Sequence, residues 1–225
     1  MHEFITAFVA FVTFHSIPAI PAIRGSIVQQ IGRPAYLLVY SAASIAALIW
    51  VFRAALALDY IPLWDFQPWH AGVTFVLAPV GLFLVLGGLL SRNPLSVSMR
   101  TAGQPGAIVR ITRHPVLWGF ALWAVGHLAA NGDLRSLLLF GGFAFFSLGS
   151  IPMAEMRARR RLGTTWNNFA AQTSIVPFGG LARGNRLSVD APMLIGAIAA
   201  AALTIWLLLW GHRFLFGADP LSIFM

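Results

Sequence analysis

The sequence predicts an all-α fold, a polytopic membrane bundle of about six transmembrane helices with both termini on the outer, periplasmic side. Three observations predict it. Of 225 residues, 58% are apolar and 10% charged, with a mean hydropathy of +0.78, more apolar surface than a soluble fold of this size hides. Apolar runs recur at lengths near the ~20 residues that cross a hydrocarbon core of ~30 Å. The arginines gather in alternate loops.

The expected spans are Phe4–Ile23, Tyr36–Phe52, Ala71–Leu90, Pro115–Ala130, Leu137–Met153 and Ala191–Trp210. In the first, Pro18 and Pro21 follow His15 and remove backbone donors, which predicts a kink beside that histidine. The fourth and fifth are short, and Asn131-Gly132-Asp133 between them reads as a turn that ends one helix and caps the next. The loops Ser91–His114 and Glu155–Asp190 show neither repeat nor low-complexity linker, so residues 1–225 read as one domain.

The formal charge of +8 invites a nucleic-acid reading, but its distribution excludes one. With the first helix entering from outside, twelve of the fifteen arginines fall in inner loops, and Arg53, Arg135 and Arg213 remain outside. The positive-inside rule then places both termini outside, as an even span count requires. Arg157, Arg159, Arg160 and Arg161 stand where anionic headgroups lie. No basic region precedes the first run, so it reads as a span rather than a cleaved leader. Cysteine and lysine are both absent, which excludes disulfides, thiolate ligands and Schiff-base chemistry. No acidic residue sits at mid-membrane to couple ions, which argues against a transporter.

Histidines at membrane depth are functional candidates. His2, His70 and His212 fall at outer helix ends and read as interfacial anchors. His15 lies eleven residues below Phe4, roughly 16 Å from the outer boundary, and His127 lies roughly 18 Å above Pro115, a depth difference of only about 4 Å. His114, at the inner helix end, is about 15 Å deeper and turned about 140° from His127. Phe120 and Trp123, seven and four residues before His127, offer aromatic walls that suit a flat cofactor. Two neutral imidazoles from two helices at one depth are able to ligate a haem iron from opposite faces; hydrogen-bonded packing histidines are the other reading.

The run from Arg110 through Arg113-His114-Pro115 and Gly126-His127 to Asp133 closely resembles the signature of the NnrU family. Phe14-His15-Ser16, Arg92-Asn93-Pro94 and Thr173-Ser174-Ile175-Val176-Pro177-Phe178 resemble its other marks. The resemblance implies a bacterial inner-membrane protein linked to denitrification. The chain is also similar to the plant 15-cis-zeta-carotene isomerases, whose two haem-ligating histidines match His15 and His127. That likeness implies haem b and, as an activity, haem-dependent isomerisation of an apolar polyene. Their cysteine three residues before the second histidine is Ala124 here, which removes any redox switching through it. Arginines, Arg113 among them, would meet the propionates, with His114 beside them.

A wider resemblance, through Arg113-His114-Pro115, Glu155 and the Trp166–Phe178 region, links the chain to isoprenylcysteine carboxyl methyltransferase-type membrane proteins. It implies S-adenosylmethionine at the inner loops as the alternative cofactor, with Arg113, His114 and Glu155 as a polar corner. A third expectation is a non-enzymatic assembly factor for a respiratory or denitrification complex. In each case the lipid bilayer is the surrounding partner.

Overall fold

The structure, a computed structural model, describes residues 1–16 and 20–224. Among these there is no strand, only isolated bridges at Pro62–Asp133 and Arg92–Arg100. The chain divides into two compact units, Met1–Asp65 with Gly132–Leu139, and Phe66–Asn131 with Phe140–Met225.

In the first unit, α1 (His2–Ser16) buries Phe4, Ala7 and Phe11, a stripe at three- and four-residue spacing. It packs on α3 (Arg33–Leu56), where Val51, Ala54 and Ala55 are buried and Trp50 donates its indole N–H to Glu3 at 3.3 Å. Between them runs α2 (Pro21–Ile31). The stretch Phe4–Ile23 is therefore not one continuous helix: Ile20 is extended, and a second helix, α2, starts after it at Pro21. The Pro18 half of the expected kink lies outside the described residues. Gly32, at φ +79°, turns the chain from α2 into α3. Asp133 caps the short α6 (Leu134–Ser136), accepting from the Ser136 N–H at 3.0 Å and its hydroxyl at 2.7 Å.

The second unit is built around α4 (Pro68–Leu90), which packs against both α5 (Pro115–Ala130) and α9 (Ala191–Trp206). Small residues make the close approach possible. A Cβ on Gly81 would lie 2.6 Å from the Gly119 carbonyl oxygen, and one on Gly196 would lie 2.5 Å from the Gly87 Cα. Thr74 clips the α4–α5 seam by donating to the Gly126 carbonyl at 2.6 Å. Beyond α7 (Gly142–Leu162) and α8 (Thr165–Ala171), a core of Leu84, Leu95, Ile108, Val109 and Phe169 closes the loop end of the unit.

Four helices are long and apolar enough to cross a membrane: Arg33–Leu56, Pro68–Leu90, Leu134–Leu162 and Ala191–Phe216. The third joins α6 to α7 through a π-helical turn at Leu137–Gly141, and the fourth joins α9 to α10 (His212–Phe216) through another at Leu207–Gly211. Helix α5 is apolar but has 16 residues, a rise of about 24 Å.

Candidate functional site

Hydrogen bonding sorts the histidines into two classes. His15 and His127 each hold Nδ1 2.8 Å from the carbonyl oxygen four residues earlier, of Phe11 and Trp123 respectively. A carbonyl only accepts, so Nδ1 carries the proton, and the neutral ring keeps its lone pair on Nε2. His212 has the same arrangement, its Nδ1 3.0 Å from the Ala218 carbonyl. His70 has the opposite one, because its Nδ1 accepts from the Gln67 N–H at 3.0 Å, which puts the proton on Nε2. His114 spends both nitrogens, Nε2 on the Glu155 carboxylate and Nδ1 on the Ser96 hydroxyl, each at 2.8 Å. Thus His15, His127 and His212 present the tautomer that a metal-ligating imidazole needs.

Each of the two deep histidines lies against an aromatic residue one turn earlier. His15 sits 4.1 Å from the Phe11 ring, with Tyr40 edge-on at 6.1 Å. His127 sits 4.8 Å from the Trp123 ring and 5.2 Å from Phe140, the latter nearly parallel at 29°. His212 follows at 6.4 Å, its plane 13° from that of His127. Both π-helical turns serve this cluster: one contains Phe140, and the other ends where His212 begins. Such turns re-aim the side chains around them and recur at functional positions.

Trp123 is thus beside His127, where the sequence places it, but Phe120 is not. It is 46% exposed, and Phe140 is the second ring on the imidazole. Seven residues bring Phe120 back to the phase of His127 but about 10.5 Å along the axis, beyond contact. His212, expected to be a separate interfacial anchor, belongs to the cluster.

The polar corner forms, and it closes on itself. Arg113 donates from Nη1 to Glu155 at 2.6 Å, from Nε to the Thr173 hydroxyl at 3.0 Å, and from Nη2 to the Ala170 carbonyl at 3.1 Å. Glu155 pairs with both Arg113 and His114. Asn93 donates to the Arg113 carbonyl at 3.0 Å, and Trp166 lies under the guanidinium at 5.5 Å. Arg113 is 5% exposed and His114 fully buried, so neither offers a group to a propionate or to S-adenosylmethionine. The corner ties the start of α5 to α7 and the loop after α8.

No group of three or more His, Asp or Glu side chains able to hold a bare metal ion occurs among the described residues.

An all-helical chain with several helices apolar enough to cross a bilayer is of the integral membrane class. It belongs to the NnrU family: the family model described as NnrU protein matches residues 3–220, nearly the whole chain. No curated protein and no solved structure matches it.

Proposed function

We propose that this chain is a haem b protein of the bacterial inner membrane, with His15 and His127 as axial ligands and a redox-linked role in nitrogen-oxide metabolism. The supporting observation is the shared anchoring of those two rings, each Nδ1–H held by the carbonyl four residues back. That bond fixes ring orientation and raises the basicity of Nε2. Trp123 and Phe140 pack against the His127 ring. Haem held by these two residues would supply a one-electron iron couple, which suits electron transfer. In this reading α1 and α5 add two crossings to the four long helices, both termini lie outside, and the residues form one functional domain. The partner is an electron carrier or a nitrogen-oxide reductase in the same membrane.

Absorption spectra of the purified protein, oxidised and dithionite-reduced, test it. Low-spin bands at near one haem per chain, lost in His15→Ala and in His127→Ala but kept in His70→Ala, are expected. Equal haem content in all three variants, or a wild-type protein that stays colourless after reconstitution with haemin, overturns it.

A further inference from the structure

We propose that the groove bounded by Arg92, Arg100 and Gln104 is a binding site for a phosphate group carried on a hydroxylated body, as in an anionic glycerophospholipid headgroup. It is independent of the haem reading.

Arg92, Arg100, Gln104 and Asp190 line a groove of about 320 Å³. Gln104 is also a wall of a second cleft of about 480 Å³, whose lining includes Asn168 and Gln172. The Gln104 amide therefore stands in both clefts, with the two arginines in one and the Asn168 and Gln172 amides in the other. The arginines are held there by their backbones: Arg92 and Arg100 form a bridge, and the Asn93 N–H donates to the Arg100 carbonyl at 2.9 Å. Both side chains are exposed, and among the described residues neither guanidinium has an ion-pair or hydrogen-bond partner. Asp190, the acid in the groove, forms no ion pair with either arginine. Its Oδ2 accepts from the Ala107 N–H at 2.8 Å and its Oδ1 from the Met193 N–H at 3.0 Å, where it caps α9.

The groove's level in the membrane follows from the helices beside it. Arg92 stands two residues beyond the last residue of α4, and Asp190 immediately precedes α9, both in helices apolar enough to cross. The groove lies where a crossing helix leaves hydrocarbon, the layer that holds lipid phosphates. Guanidiniums bind phosphate oxygens in paired, charge-assisted hydrogen bonds, while amides both donate to and accept from hydroxyls.

Native mass spectrometry of the detergent-purified protein, titrated with phosphatidylglycerol or phosphatidylcholine, reads the preference. The expected result is at least about tenfold tighter retention of phosphatidylglycerol, falling to parity in Arg92→Gln/Arg100→Gln and unchanged in Arg213→Gln, an exposed arginine outside the groove. Arg100→Gln alone keeps the test readable should the double variant unfold. Calorimetry with glycerol 3-phosphate separates the two sources: binding that competes with the lipid and is lost in the double variant assigns the site to a soluble phosphate ester. No preference in the wild type, a preference that survives Arg92→Gln/Arg100→Gln in a folded protein, or an equal loss in Arg213→Gln overturns the proposal.

Discussion

Phe140 lies against His127 with ring centroids 5.2 Å apart and planes 29° from parallel, and it reaches that position from inside a π-helical turn. The one extra residue accommodated in that turn shifts the phase of everything before it relative to α7, so a ring that α-helical spacing would aim elsewhere meets the imidazole. Phe140 is 8% exposed, whereas Phe120, on the helix that carries His127, is 46% exposed.

Phe140→Ala is therefore expected to destabilise the protein by about 3–5 kcal/mol, and Phe120→Ala by less than about 0.5 kcal/mol. Thermal unfolding in detergent, followed by circular dichroism, separates the two. Similar midpoints for both variants would refute the placement of Phe140.

Glu155 answers to two partners, so removing it strands both the Arg113 guanidinium and a His114 N–H in a buried corner. Glu155→Ala is expected to cost about 3–5 kcal/mol. Arg113→Lys, which keeps the charge but cannot reproduce three directed nitrogens, should cost about 2 kcal/mol. Haem content per folded molecule should not change in either, since the corner spends its donors on the protein; chemical unfolding paired with pyridine haemochrome assay reads both quantities.

The α4–α5 seam predicts a contrast between glycines. Gly81→Ala would set a Cβ 2.6 Å from the Gly119 oxygen, which forces the helices apart at about 1–3 kcal/mol. Gly149→Ala meets nothing within 4 Å in α7 and should stabilise by about 0.5–1 kcal/mol through helix propensity. Opposite shifts in melting temperature are the expected result.

Trp166 contributes its ring faces rather than its N–H. Arg159 lies 4.1 Å and Arg113 5.5 Å from the ring, while the buried indole nitrogen has no hydrogen-bond partner. Trp166→Phe keeps a π face and removes the orphaned donor, so its cost should stay below about 1 kcal/mol, against about 3 kcal/mol for Trp166→Ala. Equal losses in denaturant titrations would show that the part of the indole phenylalanine lacks, not the π face it keeps, is what matters there.

Much of this was legible in the residues themselves. Helix α5 runs from Pro115 to Ala130 as expected, because a proline fits the first turn and Asn131-Gly132-Asp133 stops the helix. The pairing of Glu155 with Arg113 and His114 follows the same motif that suggested it. What escaped the sequence depends on packing between helices. His212 and Phe140 are brought to His127 through π-helical turns that no local pattern of Leu and Gly announces. The role of His70 was hidden for a subtler reason: its bond to the Gln67 N–H makes it part of a helix cap, and caps are usually read from Ser, Thr, Asp or Asn. Similarly, the saturation of Arg113 depends on Ala170 and Thr173, some sixty residues away.

The glycine contacts of α4 bear on which substitutions the second unit tolerates. Where Gly81 meets Gly119 and Gly87 meets Gly196, backbone lies on backbone. Such a contact has no flexible side-chain end to give way, so any residue larger than glycine there must move a helix.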